Sequence, residues 1–148
     1  MKKVLLLLFI IGVLITVFVG KNFVSKNDDR ILRIGDRTIY LEVADSEIER
    51  TQGLSGRASL YKNRGLIFVF PNSQIYNFWM KDMNFPLDFI WLNEKKVIDL
   101  TENVPVPINK DLSNLTLYQP RDKANEVIEL NAGTVKELGI KIGDTLKY

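Results

Sequence analysis

The sequence predicts an α+β fold: a mainly antiparallel, barrel-like β-sheet with two short helices, preceded by an N-terminal transmembrane helix. Three observations carry this. Short apolar runs with period-two alternation, bounded by Gly, Pro and Asn, recur from residue 30 to the end. Two capping boxes, Ser46 with Glu49 and Thr134 with Glu137, mark helices of only one or two turns. A run without charge over residues 4–20 stands apart from everything after it.

That run comes first in the chain. Lys2 and Lys3 precede it and Lys21 follows it. As a helix it reaches about 25 Å at roughly 1.5 Å per residue, close to the thickness of a hydrocarbon core. A cleaved signal peptide needs small residues before its cut, and Phe18 and Val19 stand there instead. Residues 1–21 therefore read as an uncleaved signal anchor, with a cleaved signal and a secreted or periplasmic domain as the alternative. The N-terminal lysines stay in the cytoplasm by the positive-inside rule, which puts the domain on the extracytoplasmic side of the cell membrane as a single-pass protein. Residues 22–29 are polar and read as a tether.

Residues 30–148 form the globular domain. ILRIG-DRTIYLEVA reads as a hairpin turning at Gly35-Asp36, with Ile39, Leu41 and Val43 alternating after the turn. Ser46 opens a helix of about two turns that stops at Gly53. RGLIFVF is a strand buried on both faces, and Pro71-Asn72-Ser73 is a turn. IYNFWMKDM alternates Tyr76, Phe78 and Met80 against Asn77, Trp79 and Lys81, which reads as a second strand, broken at Phe85-Pro86. LDFIWLN and KKVIDLTENVPVP are a third and a fourth strand, the latter leaving through two prolines. LTLYQP and NEVIEL are two more. The Thr134 helix stops at Gly139, and Gly143-Asp144 turns into a last short strand. No βαβ alternation is visible, which favours the antiparallel sheet.

Composition excludes several functions. The chain has no Cys and no His. Disulfides, Cys or His nucleophiles and the common zinc sites are therefore ruled out. Setting aside Lys2, Lys3, Lys21, Lys26, Asp28 and Asp29 leaves 16 basic against 16 acidic residues, so the domain is formally neutral and carries no nucleic-acid footprint. The acidic residues do not follow calcium-loop spacing, and residues 53–56 lack the ending of a phosphate loop. No cofactor or metal site is expected.

The chemistry gathers in three clusters. Residues 50–57 place Arg50 and Arg57 around the end of the first helix. Residues 78–88 set Trp79, Met80 and Lys81 ahead of Pro86-Leu87-Asp88. Residues 129–144 open with Glu129-Leu130 and close with Gly143-Asp144. The arrangement R-x-x-G-L-x-x-R, G-L-x-F-x-F, F-W-M-K-x-x-x-x-P-L-D, E-L-x-A-G and G-I-x-x-G-D resembles the domain of unknown function 192 family, from about residue 39 to the end. Residues 79–88 carry the most specific part of the resemblance. Ser55 stands where that family usually has Met, and Asp82-Met83 where it usually has Asn-Thr. The resemblance implies a fold; no activity comes with it.

Asp88 is the most informative single residue. It shares a strand face with Ile90 and Leu92, and a carboxylate there needs a partner. Arg50, Arg57 and Lys81 are the candidates, with arginine favoured for its paired donors. The expectation is a salt bridge from Asp88 to Arg50 or Arg57. The functional expectation is a binding or interaction module. Arg50 and Arg57 would take a small anionic ligand or envelope component, Trp79 and Met80 would form an apolar wall, and Lys81 and Asp88 its polar edge. The rivals are an envelope hydrolase or transferase using Asp88 as base, and a purely structural envelope protein.

Overall fold

A computed structural model describes residues 29–108 and 115–148. The expected anchor, and the tether up to Asp28, lie outside the described residues. Among the described residues no helix is long and apolar enough to cross a membrane.

Among the described residues, six strands and two helices follow in the order β1 (Arg30–Ile34), β2 (Arg37–Ala44), α1 (Glu47–Gln52), β3 (Arg64–Gln74), β4 (Leu87–Asn93), β5 (Lys96–Val104), β6 (Ala124–Asn131) and α2 (Thr134–Leu138). One sheet holds all six strands in the order β1-β2-β3-β6-β4-β5. β1 and β5 are its two edges, so the sheet is open and not a closed barrel. Most pairings are antiparallel, as expected. The exception is β2 with β3, which pair in parallel. Helix α1 and the loop after it supply the crossover that parallel strands require. The sequence hides this βαβ unit because α1 is so short.

The β1–β2 hairpin turns where expected, with Gly35 at φ 58°. Ser46 caps α1 through the full capping box. β3 does not turn at Pro71; it continues to Gln74, with a shift of register against β6 between Val69 and Gln74.

The segment 75–86 is where the sequence misleads most. It is no strand, and its one ladder contact is the bridge from Phe78 to Tyr118. Topology explains why. β3 and β4 both run antiparallel to β6, which lies between them. They therefore point the same way, and the chain joining them must cross back over a face of the sheet. That crossing is apolar because it covers a core. Phe78, Met80 and Met83 pack down with Leu54 on Leu66, Phe68, Leu87, Phe89, Trp91 and Val127. LTLYQP is likewise reduced to the Tyr118 bridge, and the last expected strand to a single bridge from Lys96 to Thr145.

The opposite face has its own core. Leu32, Leu41, Ile67, Ile90, Leu92 and Ile128 meet Val135, Ile140 and Leu146 from α2 and the C-terminal segment. On this side the Tyr148 hydroxyl donates to Glu126 Oε2 at 2.6 Å, and Arg30 Nη1 lies 3.0 Å from Oε1. Burial and the Glu126 bond push the Tyr148 phenol well above its ordinary range.

Candidate functional site

Asp88 belongs to this second face. It is completely buried, as its neighbours demand, and among the described residues no arginine pairs with it. Its Oδ1 accepts the Asn103 backbone N–H at 2.8 Å and its Oδ2 accepts that of Val135 at 2.9 Å. Val135 is in the first turn of α2. The N-cap of that helix is Gly133, in the left-handed region and without a side-chain cap, so the expected Thr134–Glu137 box does not form. Asp88 reaches across from β4 and caps the helix instead. The sheet therefore separates Asp88 from Trp79 and Met80.

The other expected site residues divide as follows. Arg50 Nη1 donates to the Asp45 carbonyl and, at 2.9 Å, to that of Val69, while its guanidinium lies 5.4 Å from the Phe70 ring. It ties α1 to β3. Met80 is buried in the first core, whereas Trp79 is 50% exposed. The two point in opposite directions and do not share a wall. The Lys81 carbonyl accepts the Ser55 hydroxyl at 2.8 Å. Lys81 thus helps to hold the loop that carries Arg57.

Arg57 is the expected residue around which a site assembles. Strand register builds its floor. Glu42 on β2 pairs with Leu66 on β3, Leu66 with Glu129 on β6, and Glu129 with Phe89 on β4. These four side chains form one row on the first face. Glu42 and Glu129 stand two strands apart, about 10 Å between backbones. Arg57 reaches this row from the loop. Its Nη1 and Nη2 donate to the two oxygens of Glu42, each at 2.8 Å. Three cross-ties fix that loop to the turn at residues 80–84. Besides the Ser55 bond, Gly56 N–H donates to the Asp82 carbonyl at 2.9 Å. Asn84 Nδ2 donates to the Arg57 carbonyl at 2.9 Å. Asn131, next on the same face of β6, donates to the Leu60 carbonyl at 3.0 Å and anchors the loop's far end.

The two carboxyls are driven apart. The hydrogen bonds from Arg57 hold Glu42 below its ordinary range. Glu129 is 5% exposed, and burial raises its pKa from 4.5 to about 8, against the pull of Arg57. Among the described residues no hydrogen bond is made to its carboxyl. Burial thus favours the protonated form of Glu129, beside a guanidinium that is already neutralised by Glu42. Such a group both donates and accepts.

The sequence singles out Glu129 as the opening of the third cluster and of the E-L-x-A-G motif, but not as a binding residue, and it does not single out Glu42 at all. In TIYLEVA the residues Ile39, Leu41 and Val43 face one core, so Glu42 reads as a solvent-facing position. Glu129 sits in VIEL, where apolar residues on both sides were the available signal: an acid inside a strand buried on both faces.

The comparisons agree with this fold. A UPF0127 protein of Thermococcus gammatolerans is 30% identical over 115 residues, which are 74% of this chain and 66% of that protein. The chain thus spans just under two thirds of that relative's length. A UPF0127 protein of Pyrococcus furiosus is 30% identical over 116 residues, 74% of this chain and 87% of that one. A crystal structure from Sinorhizobium meliloti, of a protein assigned as a transcription regulator, superposes with a TM-score of 0.68 at 30% identity, covering 79% of this chain and 89% of that chain. The family profile DUF192, Uncharacterized ACR, matches residues 30–148, and the chain belongs to that family.

Proposed function

We propose that this chain is a membrane-anchored, extracytoplasmic binding module whose ligand site is the Arg57–Glu129 pair on the first face of the sheet. The carrying observation is the strand row that sets the buried Glu129 beside the Arg57–Glu42 pair, with burial raising the Glu129 pKa toward the protonated form. The ligand class is a small anion. It would accept from the Glu129 acid proton and from the Arg57 donors that Glu42 leaves over. The tether reading is supported by the uncharged run at residues 4–20 with lysines on both sides.

An acid–base enzyme is the second reading, because two carboxyls in one row have their pKa values pushed in opposite directions. It moves the acid from Asp88 to Glu129. Binding is favoured over it because Arg57 occupies both oxygens of Glu42, which leaves no second free carboxylate. Regulation of transcription, the role assigned to the Sinorhizobium protein, finds no support in a domain of balanced charge.

Acetate is a suitable probe. Titrated into the full-length chain in micelles at pH 6, it should give saturable backbone chemical-shift changes in β6 and residues 53–57. Arg57→Ala should abolish them. At pH 9 they should weaken, since Glu129 has lost its proton. Saturation that survives Arg57→Ala, or none at pH 6, overturns the site. Carbonate extraction tests the anchor: full-length protein released from membranes would overturn that part.

A further inference from the structure

The cover over the first face has an outer surface as well as an inner one. Its two arms, residues 75–86 and 115–123, meet at one bridge. Phe78 N–H donates to the Tyr118 carbonyl at 2.9 Å and Tyr118 N–H to the Phe78 carbonyl at 2.8 Å. Both rings turn inward, each 5.8 Å from the ring of Phe89. Antiparallel pairing then sets Trp79 opposite Leu117, and alternation points both outward. They are 50% and 53% exposed. Ile75, in the same arm as Trp79, is also exposed, and so is Ile108 on the segment leading out of β5. The arms carry Lys81, Arg121 and Lys123 against Asp82 and Asp122, and Arg121 Nε lies 3.6 Å from Asp99 Oδ1. The Arg121 side chain is largely exposed.

We propose that the Trp79–Leu117 pair is a membrane-interface contact that lies against the bilayer carrying the chain's own N-terminal run. This rests on the tether reading above. An amphipathic indole beside an aliphatic side chain and lysine or arginine is the chemistry of the headgroup boundary. The occupant is set by the length of the tether. Residues 22–29 span at most about 28 Å at roughly 3.5 Å per residue. The domain is therefore held where the lipid surface is its constant neighbour, and a small apolar patch that would be too weak for a free protein suffices at that effective concentration. The contact would also hold the cover, and the Arg57–Glu129 pair beneath it, close to the lipid surface.

The protein has two tryptophans, and Trp91 is completely buried. Fluorescence changes at the surface therefore report Trp79. The experiment uses the full chain reconstituted into vesicles of phosphatidylcholine with a minority of phosphatidylglycerol, a fraction of the lipids being spin-labelled near the headgroup. The expected result is quenching by the labelled lipid and protection from aqueous iodide relative to the chain in micelles. Trp79→Phe should remove the lipid quenching, and Leu117→Ser should reduce it. Retention of the chain in carbonate with Trp79 quenched by iodide alone would overturn the contact and leave the tether standing. Protection from iodide without lipid quenching would overturn it in favour of a protein partner or a second copy. Release of the full-length chain by carbonate would overturn tether and contact together.

Discussion

Glu129→Gln isolates one proton. Gln has the shape and neutrality of the protonated acid. In the unfolded chain the Glu129 carboxyl ionises near 4.5, and in the folded protein it keeps its proton to about 8. Between these values the folded state binds one proton more than the unfolded state, so stability falls as pH rises. At about 1.36 kcal/mol per pH unit, the shift amounts to roughly 5 kcal/mol over the whole window. Below pH 4.5 the contribution is fully present, and above pH 8 it is gone. The chain has no His and no Cys, so between pH 5.5 and 8.5 no other side chain ordinarily titrates. The lowered pKa of Glu42 acts at more acid pH. Urea melts at pH 5.5 and pH 8.5 read the effect. The unsubstituted protein should lose about 3 kcal/mol between the two, and Glu129→Gln should change little. At pH 8.5 the variant should be the more stable of the two. A wild-type stability that is flat across the window, or a slope that persists in Glu129→Gln, would refute the protonated carboxyl and with it the donor on which the binding site depends.

Three further outcomes are expected. Asp88→Ala should cost about 3 kcal/mol in urea, since it strands the Asn103 and Val135 N–H groups, and Asp88→Asn should recover little, because one amide end turns a donor toward a donor. Hydrogen exchange at Val135 should accelerate in both variants. Gly65→Ala should cost about 1–3 kcal/mol by thermal melt: its Cβ would fall 2.6 Å from Leu130 Cδ2, 2.8 Å from Leu41 Cδ2 and 2.9 Å from the Glu129 carbonyl oxygen. Tyr148→Phe should cost about 1 kcal/mol by the same measurement, by removing the hydroxyl bond to Glu126.

Much of the fold was legible because local chemistry decided it. The Gly35 turn, the Ser46 capping box and the LDFIWLN strand β4 each follow from neighbouring residues, and each appears where expected. The failures share a cause in long-range placement. Residues 76–80 alternate as a strand does, but alternation equally suits a chain that lays every second side chain onto a sheet. Only the strand order, with β6 between β3 and β4, distinguishes the two. The partner of Asp88 was sought among arginines because side-chain charges can be read in a sequence. Its true partners are backbone N–H groups, which every residue except proline carries and which no sequence pattern singles out. Arg57 was legible as a site residue, yet its partner Glu42 looked like an ordinary solvent-facing position in an alternating strand.

The stretch 77–88 turns out to serve both faces of the sheet, and the reason lies in strand geometry. Its first part covers the first core with Phe78, Met80 and Met83. At Leu87 the chain joins β4, and successive side chains must then alternate. Leu87 still faces the first core, so Asp88 is sent to the second, where it holds the start of α2. The cover, the central sheet and α2 are thus placed by adjacent residues of one segment. The two halves of the candidate site are held differently. Glu129 is fixed from both sides by its pairing with β3 and β4. Arg57 is fixed by loop contacts, through Ser55, Gly56 and Asn84, to the turn at residues 80–84. A ligand that engages Glu129 alone meets a rigid floor. One that engages Arg57 acts on the loop and, through the cover turn, on the segment that carries Trp79.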